Sequence, residues 1–157
     1  MAVFTTDLAL QSGVTFAATA GSGHTALMDS TEVTGGGNAG FRPLEMLLTG
    51  VGGCAGMVAL TLLRRMGQDV TAYHLRVEGD RVEEHPKVFR GITVEHVLTG
   101  TALDPAKVAQ AIATAAGRLS PVVIMTNKAA PITHTYRLID AASGREDTGT
   151  VAIPTAG

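Results

Sequence analysis

The chain has no tryptophan, two tyrosines and four phenylalanines, so it offers little on which nucleic-acid bases could stack. No polybasic run or acidic block supplies an electrostatic substitute, and nucleic acid is not an expected partner. With a single cysteine, Cys54, it can build no internal disulfide framework, and a zinc site made of thiolates would need more of them. The opening "MAVFTTDLALQSG" has neither the basic segment nor the apolar segment of a secretory signal, which makes the cytoplasm the expected compartment. Charge is sparse, with 17% Asp, Glu, Lys and Arg and a net charge of −2 over 157 residues, as in one ordinary domain. There is no internal repeat and no long linker. One more absence bears on chemistry: no lysine or arginine precedes Arg42.

What the chain does have is glycine, 19 residues of it, and one long uncharged run. "MLLTGVGGCAGMVALTLL", residues 46–63, carries the cysteine and is followed at once by Arg64 and Arg65. Eighteen uncharged residues reach the lower limit for a membrane span, roughly 30 Å of hydrocarbon. Four glycines and two threonines within the run, Glu45 at its border and strand-like flanks argue instead for a buried helix. The reading adopted is a helix from Pro43 to Met66, with proline in its first turn and Gly67 at its end. Being apolar on nearly every face, it needs cover on nearly every side. A helix of roughly 36 Å is hard for so small a domain to enclose, so a second subunit is expected to help.

Before the helix, "AVFTTDLAL", "VTFAATA" and "HTALMD" are separated by "QSG" and "GSG" turns and predict an antiparallel meander. After it, "VTAYHLRVEGD" puts Tyr73, Leu75 and Val77 on one face, with His74 on the polar one. "GITVEHVLTG" does the same with Ile92, Val94, His96 and Leu98. A second helix starts at Asp104 as N-cap with Pro105 in its first turn, and a short third one at Ser120, read as its cap before Pro121. "PITHTYRLID" puts Ile132, His134, Tyr136 and Leu138 on one face. The order βββ, long α, ββ, α, short α, β predicts an α+β fold, with an antiparallel sheet on a long buried central helix. Residues 1–140 are expected to form a single domain, and 141–157 a polar, mobile tail.

"RPLEMLLTGVGGCAGMVALTLLRR", then "HPKVF", "GITVEHVLTG" and "ITHTYRL", resemble the OsmC/Ohr family, the osmotically inducible and organic hydroperoxide resistance proteins. The likeness covers residues 13–139, and "GSGHTALMD" and "EEHPKVFRGI" look more like the less-characterised OsmC-like branch than like the best-known peroxidases. It implies an OsmC-like fold in an intertwined homodimer with the long helices at its centre. It also implies an interface cysteine that attacks peroxides, and no metal or organic cofactor. The family's peroxidases use an arginine from an early strand held by a glutamate directly after the helix-opening proline; many add a resolving cysteine before the short helix.

Carried onto this chain, the resemblance makes Cys54 the candidate nucleophile. Peroxide reduction needs a thiolate, which attacks the O–O bond and becomes a sulfenic acid. A lone cysteine in an apolar helix is also a common way to fill a core. The early-strand arginine is missing, leaving His24 and Arg42 as replacement cations. Glu45 stands two positions after Pro43, and nine residues of helix, roughly 900° of rotation and 13 Å of rise, separate it from the Cys54 of its own helix. It is then either a surface or helix-start carboxylate or a group that serves a partner's site. Ser120 occupies the resolving position, so an internal disulfide is impossible and any cycle needs an external thiol. His96 and His134 lie on apolar strand faces, as satisfied core histidines or as groups that polarise Cys54, without the spacing of a metal site. His85 sits before Pro86 in a turn.

Two functions follow. One is a one-cysteine thiol peroxidase for organic hydroperoxides, with the apolar neighbours Leu47, Val51 and Met57 favouring an alkyl chain. The other is a non-enzymatic dimer that binds a small apolar ligand, with Cys54 as inert packing.

Overall fold

The computed structural model describes residues 3–153. The chain divides into two compact units, Met1–Leu47 and Leu48–Gly157.

The first unit is the predicted meander. β1 (Thr6–Ser12), β2 (Thr15–Ala20) and β3 (Thr25–Met28) pair antiparallel in the order β1-β2-β3. The connections use Gly13 at φ +52° and Gly23 at φ +87°, backbone conformations that glycine adopts without cost. His24 falls in the turn before β3, outside the strand that was expected to hold it. The glycine-rich stretch that follows wraps round Asp29, which is buried. Its carboxylate accepts the backbone N–H groups of Ser30 at 2.8 Å, Gly37 at 3.0 Å and Ala39 at 2.9 Å. These N–H groups, Ala39's foremost, hold the Asp29 carboxyl below its usual pKa. The wrapping leaves no room for side chains: a Cβ on Gly36 would lie 2.2 Å from the Ser30 carbonyl oxygen.

The long helix α1 spans Pro43–Arg65. The second unit holds most of it, followed by β4 (Asp69–Arg81), β5 (Phe89–Thr101), α2 (Pro105–Thr114), a π-helical turn (Ala115–Leu119), α3 (Pro121–Asn127), β6 (Ile132–Asp140) and β7 (Glu146–Val151). Asp104 caps α2 as expected, its carboxylate accepting the Ala106 N–H at 2.9 Å. Two expectations are corrected. The second sheet, ordered β4-β5-β6-β7, is mixed and not antiparallel, because β5 and β6 pair in parallel. The segment α2–α3 supplies the crossover that parallel neighbours require. The supposed mobile tail contains β7, paired antiparallel with β6 from Ile139↔Glu146 to His134↔Val151. Its polar composition suits an edge strand with an exposed face; residues 154–157 of that tail lie outside the described residues.

The predicted alternation is borne out on β5, where Ile92, Val94, His96 and Leu98 are all buried. Leu98 and Leu138 of this face join Ala59 and Leu63 of α1 and Val108, Ala111 and Ile112 of α2 in the main apolar cluster. By length and apolarity α1 is fit to cross a bilayer, yet its burial in this chain is one-sided. Val51, Gly52, Ala55, Gly56, Ala59 and Leu63 are buried, whereas Met57 is 69% exposed. The buried face sits close on β4. A Cβ on Gly52 would come within 2.6 Å of Val77 Cγ2, and one on Gly56 within 2.6 Å of Leu75 Cδ1. A Cβ on Gly53, a residue away, would meet only the tip of Met57, at an ordinary contact distance of 3.9 Å.

Gly52→Leu is therefore expected to lower the unfolding free energy by about 1–3 kcal/mol through overpacking. Gly53→Ala should leave it unchanged or raise it by up to about 1 kcal/mol through helix propensity. Urea denaturation of the two variants checks the pair, and equal stability would mean that α1 does not sit on β4 through Gly52.

Candidate functional site around Cys54

Two residues beyond Gly52 on α1 stands Cys54, about 200° further round the helix. Its side chain leaves the helix away from β4, which is why it is half-buried while Val51 and Ala55 beside it are enclosed. Val51, expected to line an apolar pocket with Leu47 and Met57, belongs to the core instead.

The sulfur meets Ser120. The serine Oγ–H donates to Cys54 Sγ at 2.8 Å, from a residue with 0% exposure. Ser120 does stand at the N-cap position of α3, but its side chain makes no capping hydrogen bond, contrary to the expectation from the Ser-Pro pair. The cause lies in the turn before it. Residues Ala115–Leu119 form a π-helical turn, closed by the Ser120 N–H donating to the Ala115 carbonyl at 2.8 Å. The wider turn shifts the position of the residue that follows, and such turns recur at functional sites.

The other groups named from the sequence are placed as follows. Glu45 accepts the Arg42 N–H at 2.9 Å and the Arg42 Nη1–H at 2.9 Å, so it closes the first turn of α1 and fixes the guanidinium. The same hydrogen bonds and the adjacent positive charge lower its pKa. Arg42 Nη2 also donates to Asn38 Oδ1 at 3.3 Å. Arg42 is thus an oriented cation, not a free loop side chain. His24 is exposed, with Nδ1 3.2 Å from Ser22 Oγ, and does not point inward with Ala26 and Met28. His74 is exposed, as expected, and His85 is exposed as well. Among the described residues, no group of three or more His, Cys, Asp and Glu is arranged to hold a metal ion.

His96 and His134 are 0% and 1% exposed and form a chain with Tyr73, a residue to which the sequence reading gave only a packing role. Tyr73 Oη lies 2.5 Å from His96 Nδ1, and His96 Nε2 lies 3.0 Å from His134 Nδ1. If Tyr73 donates, each imidazole passes its hydrogen onward and His134 Nε2 carries an N–H; if the chain runs the other way, that atom is an acceptor. Among the described residues His134 Nε2 has no hydrogen-bond partner. Burial lowers the pKa of His134 to about 4, and burial together with the neighbouring His134 lowers that of His96 to about 3. The desolvation of Tyr73 raises its phenol pKa, so all three groups are neutral at pH 7. The strand register relates this chain to α1. Val77, Val94 and His134 form one cross-strand row, and Leu75, His96 and Tyr136 another. Gly52 stands over Val77 and Gly56 over Leu75, so Cys54 lies between the two rows along the helix axis.

The depressed histidine pKa values set a pH dependence. The unfolded chain takes up protons at the ordinary value of 6.5, and the folded one only near 4 and 3. Stability from the neutral pair is complete above pH 6.5 and is lost as the pH falls from there toward 3 to 4. At pH 5 the loss is expected on the order of 2 kcal/mol per histidine. Urea midpoints between pH 7 and pH 5 test the slope. NMR of the two imidazoles tests the cause, since both should keep neutral-form shifts down to pH 5.

Comparison with known proteins places these features in a family. The sequence model of the family described as OsmC-like protein matches residues 35–135. Protein YhfA of Escherichia coli K12 is 35% identical over 132 residues, covering 82% of this chain and 93% of YhfA. Among solved structures, an OsmC-like protein of Mycoplasma pneumoniae superposes with a TM-score of 0.72 at 15% identity, over 88% of this chain and 97% of that one. The organic hydroperoxide resistance protein OhrB of Bacillus subtilis does so with a TM-score of 0.60 at 14% identity, over 85% and 97%. At such identities the two structures speak for the fold alone. The family match and the extensive likeness to YhfA together show that this chain belongs to the OsmC-like protein family.

Proposed function

We propose that the protein is a one-cysteine thiol peroxidase, acting on organic hydroperoxides and returned to its resting state by an external thiol. The observation that carries this reading is that Cys54 is only partly buried beside two fully enclosed neighbours, Val51 and Ala55, with its sulfur accepting from the Ser120 hydroxyl. A cysteine that merely fills a core has no reason to be left partly open or to be met by a hydroxyl. In the reaction the thiolate attacks the terminal oxygen of the hydroperoxide, an S–O bond forms as the O–O bond breaks, and the departing alkoxide takes a proton and leaves as the alcohol. The resulting sulfenic acid condenses with one thiol molecule, releasing water, and a second thiol frees Cys54 and leaves as a disulfide.

Solved structures of this fold that bear the name organic hydroperoxide resistance protein support the substrate class. Arg42 held by Glu45 matches, in residue type, the cation and carboxylate that the resemblance implies. The reading includes a homodimer, supported by the apolar side chains that the single chain leaves exposed: Leu8, Leu10, Phe16, Leu27 and Phe41 in the first unit and Met57 on α1.

Exposure of the folded protein to a modest excess of cumene hydroperoxide should yield a sulfenic acid on Cys54 that dimedone traps, faster than hydrogen peroxide yields it. Burial of alkyl groups favours the larger substrate by about 0.8 kcal/mol per methylene. Mass spectrometry reads the product. An unmodified Cys54 would overturn the peroxidase and leave the alternative, a dimer that binds a small apolar ligand. Analytical ultracentrifugation at micromolar concentration should find a dimer, and a stable folded monomer would rule that assembly out.

A further inference from the structure

We propose that Ser120 is a positioning residue for Cys54: its enclosed hydroxyl donates to the sulfur, orients it and favours the reactive anion over the thiol. The inference rests on the peroxidase reading for its biological sense, but the contact itself can be tested without any peroxide.

Three observations converge on Ser120. Its backbone groups are both engaged in helical hydrogen bonds, the N–H with the Ala115 carbonyl at 2.8 Å and the carbonyl with the Ile124 N–H at 3.0 Å. Its hydroxyl makes no capping bond to α3, although serine before proline at a helix start ordinarily would. The hydroxyl is directed instead at Cys54 Sγ, 2.8 Å away, from a position with no exposure to solvent. A helix start has thus given up its cap, by way of a π-helical turn, to aim one donor at one sulfur.

The chemistry of the pair is asymmetric. A thiol is a weak donor and a weak acceptor, so a neutral Cys54 gains little from a hydroxyl. A thiolate is a full anion, and hydrogen bonds to charged groups are about twice as strong as neutral ones. Ser120 therefore favours the ionised sulfur over the protonated one. It does so beyond the first turn of α1, where the helix dipole no longer acts. After attack, the same hydroxyl is placed to donate to the sulfenate. Serine cannot be oxidised to a disulfide partner, so it takes the place of a resolving thiol while leaving the oxidised sulfur to an external reductant.

The test follows the alkylation of Cys54 by iodoacetamide across pH, in the intact protein and in Ser120→Ala. Losing the donor should displace the profile toward higher pH and slow alkylation at pH 7 by about tenfold, equivalent to about 1.4 kcal/mol. Ser120→Thr, which keeps the hydroxyl, should restore much of the rate. If Ser120→Ala is folded by circular dichroism and its profile coincides with that of the parent, the proposal is overturned. Ser120→Cys keeps the question open to measurement even if the alanine variant fails to fold. Mild oxidation of that variant should join the two sulfurs with loss of two hydrogens, and failure to form the bond would remove the proximity on which the argument stands. A shifted alkylation profile in a protein whose Cys54 resists cumene hydroperoxide would sink the peroxidase reading and leave Ser120 in its role. Peroxide oxidation at equal rates with and without the hydroxyl, on coincident alkylation profiles, would do the reverse.

Discussion

The close approach of α1 to β4 through Gly52 and Gly56 is the constraint from which most of the second unit follows. Helix and strand meet where Val77 and Leu75 fill the space that two Cβ atoms would take. That contact sets which helical face points to the sheet, and by the 100° step of the helix it sets where every other residue points. Cys54, two residues past Gly52, is turned off the sheet and toward the segment that starts α3. An added side chain at Gly52 would lift the helix and move the sulfur with it. Glycine at 52 and 56 is thus as much a determinant of the site as the cysteine.

A second feature sits beneath that contact. Tyr73, His96 and His134 form an unbroken polar chain inside an otherwise apolar layer, kept neutral by burial. Uncharged imidazoles are tolerated there because each satisfies another, and the chain ends at His134 Nε2, which has no partner among the described residues. A buried polar network of this kind costs more than apolar packing unless it is complete, but it specifies one arrangement of strands. Here it ties β4 to β5 and β5 to β6, the last pair being the parallel one. The first unit uses the same principle with a charge. Asp29 is enclosed, and three backbone N–H groups replace the water it has lost.

Ser120 connects these structural matters to reactivity. The crossover from β5 to β6 must pass over the sheet, and its π-helical turn brings the residue before α3 against α1. In that place a second thiol would give an internal disulfide. A hydroxyl cannot, so in the proposed peroxidase cycle the oxidised cysteine would depend on a thiol from outside.

Much of this was legible in the sequence. Alternation of apolar residues marked β4, β5 and β6, and Pro43 and Asp104 marked two helix starts, because burial and capping impose local patterns. The motif around Cys54 identified the family, and with it the fold and the candidate nucleophile. Tertiary structure alone decided the rest. β7 escaped notice because a polar edge strand is defined by its hydrogen bonds to β6 and needs no apolar face. The parallel pairing of β5 with β6 depends on the path of the crossover, which no local pattern encodes. The Ser-Pro pair that reads as a cap contributes a hydroxyl to a sulfur 66 positions earlier in the chain. His96 and His134 were visible as anomalies, but their bond to each other and to Tyr73 joins three strands. Propensity and periodicity are properties of neighbours in the chain, whereas a hydrogen bond between a serine and a distant cysteine exists only once helices and sheet have been packed together.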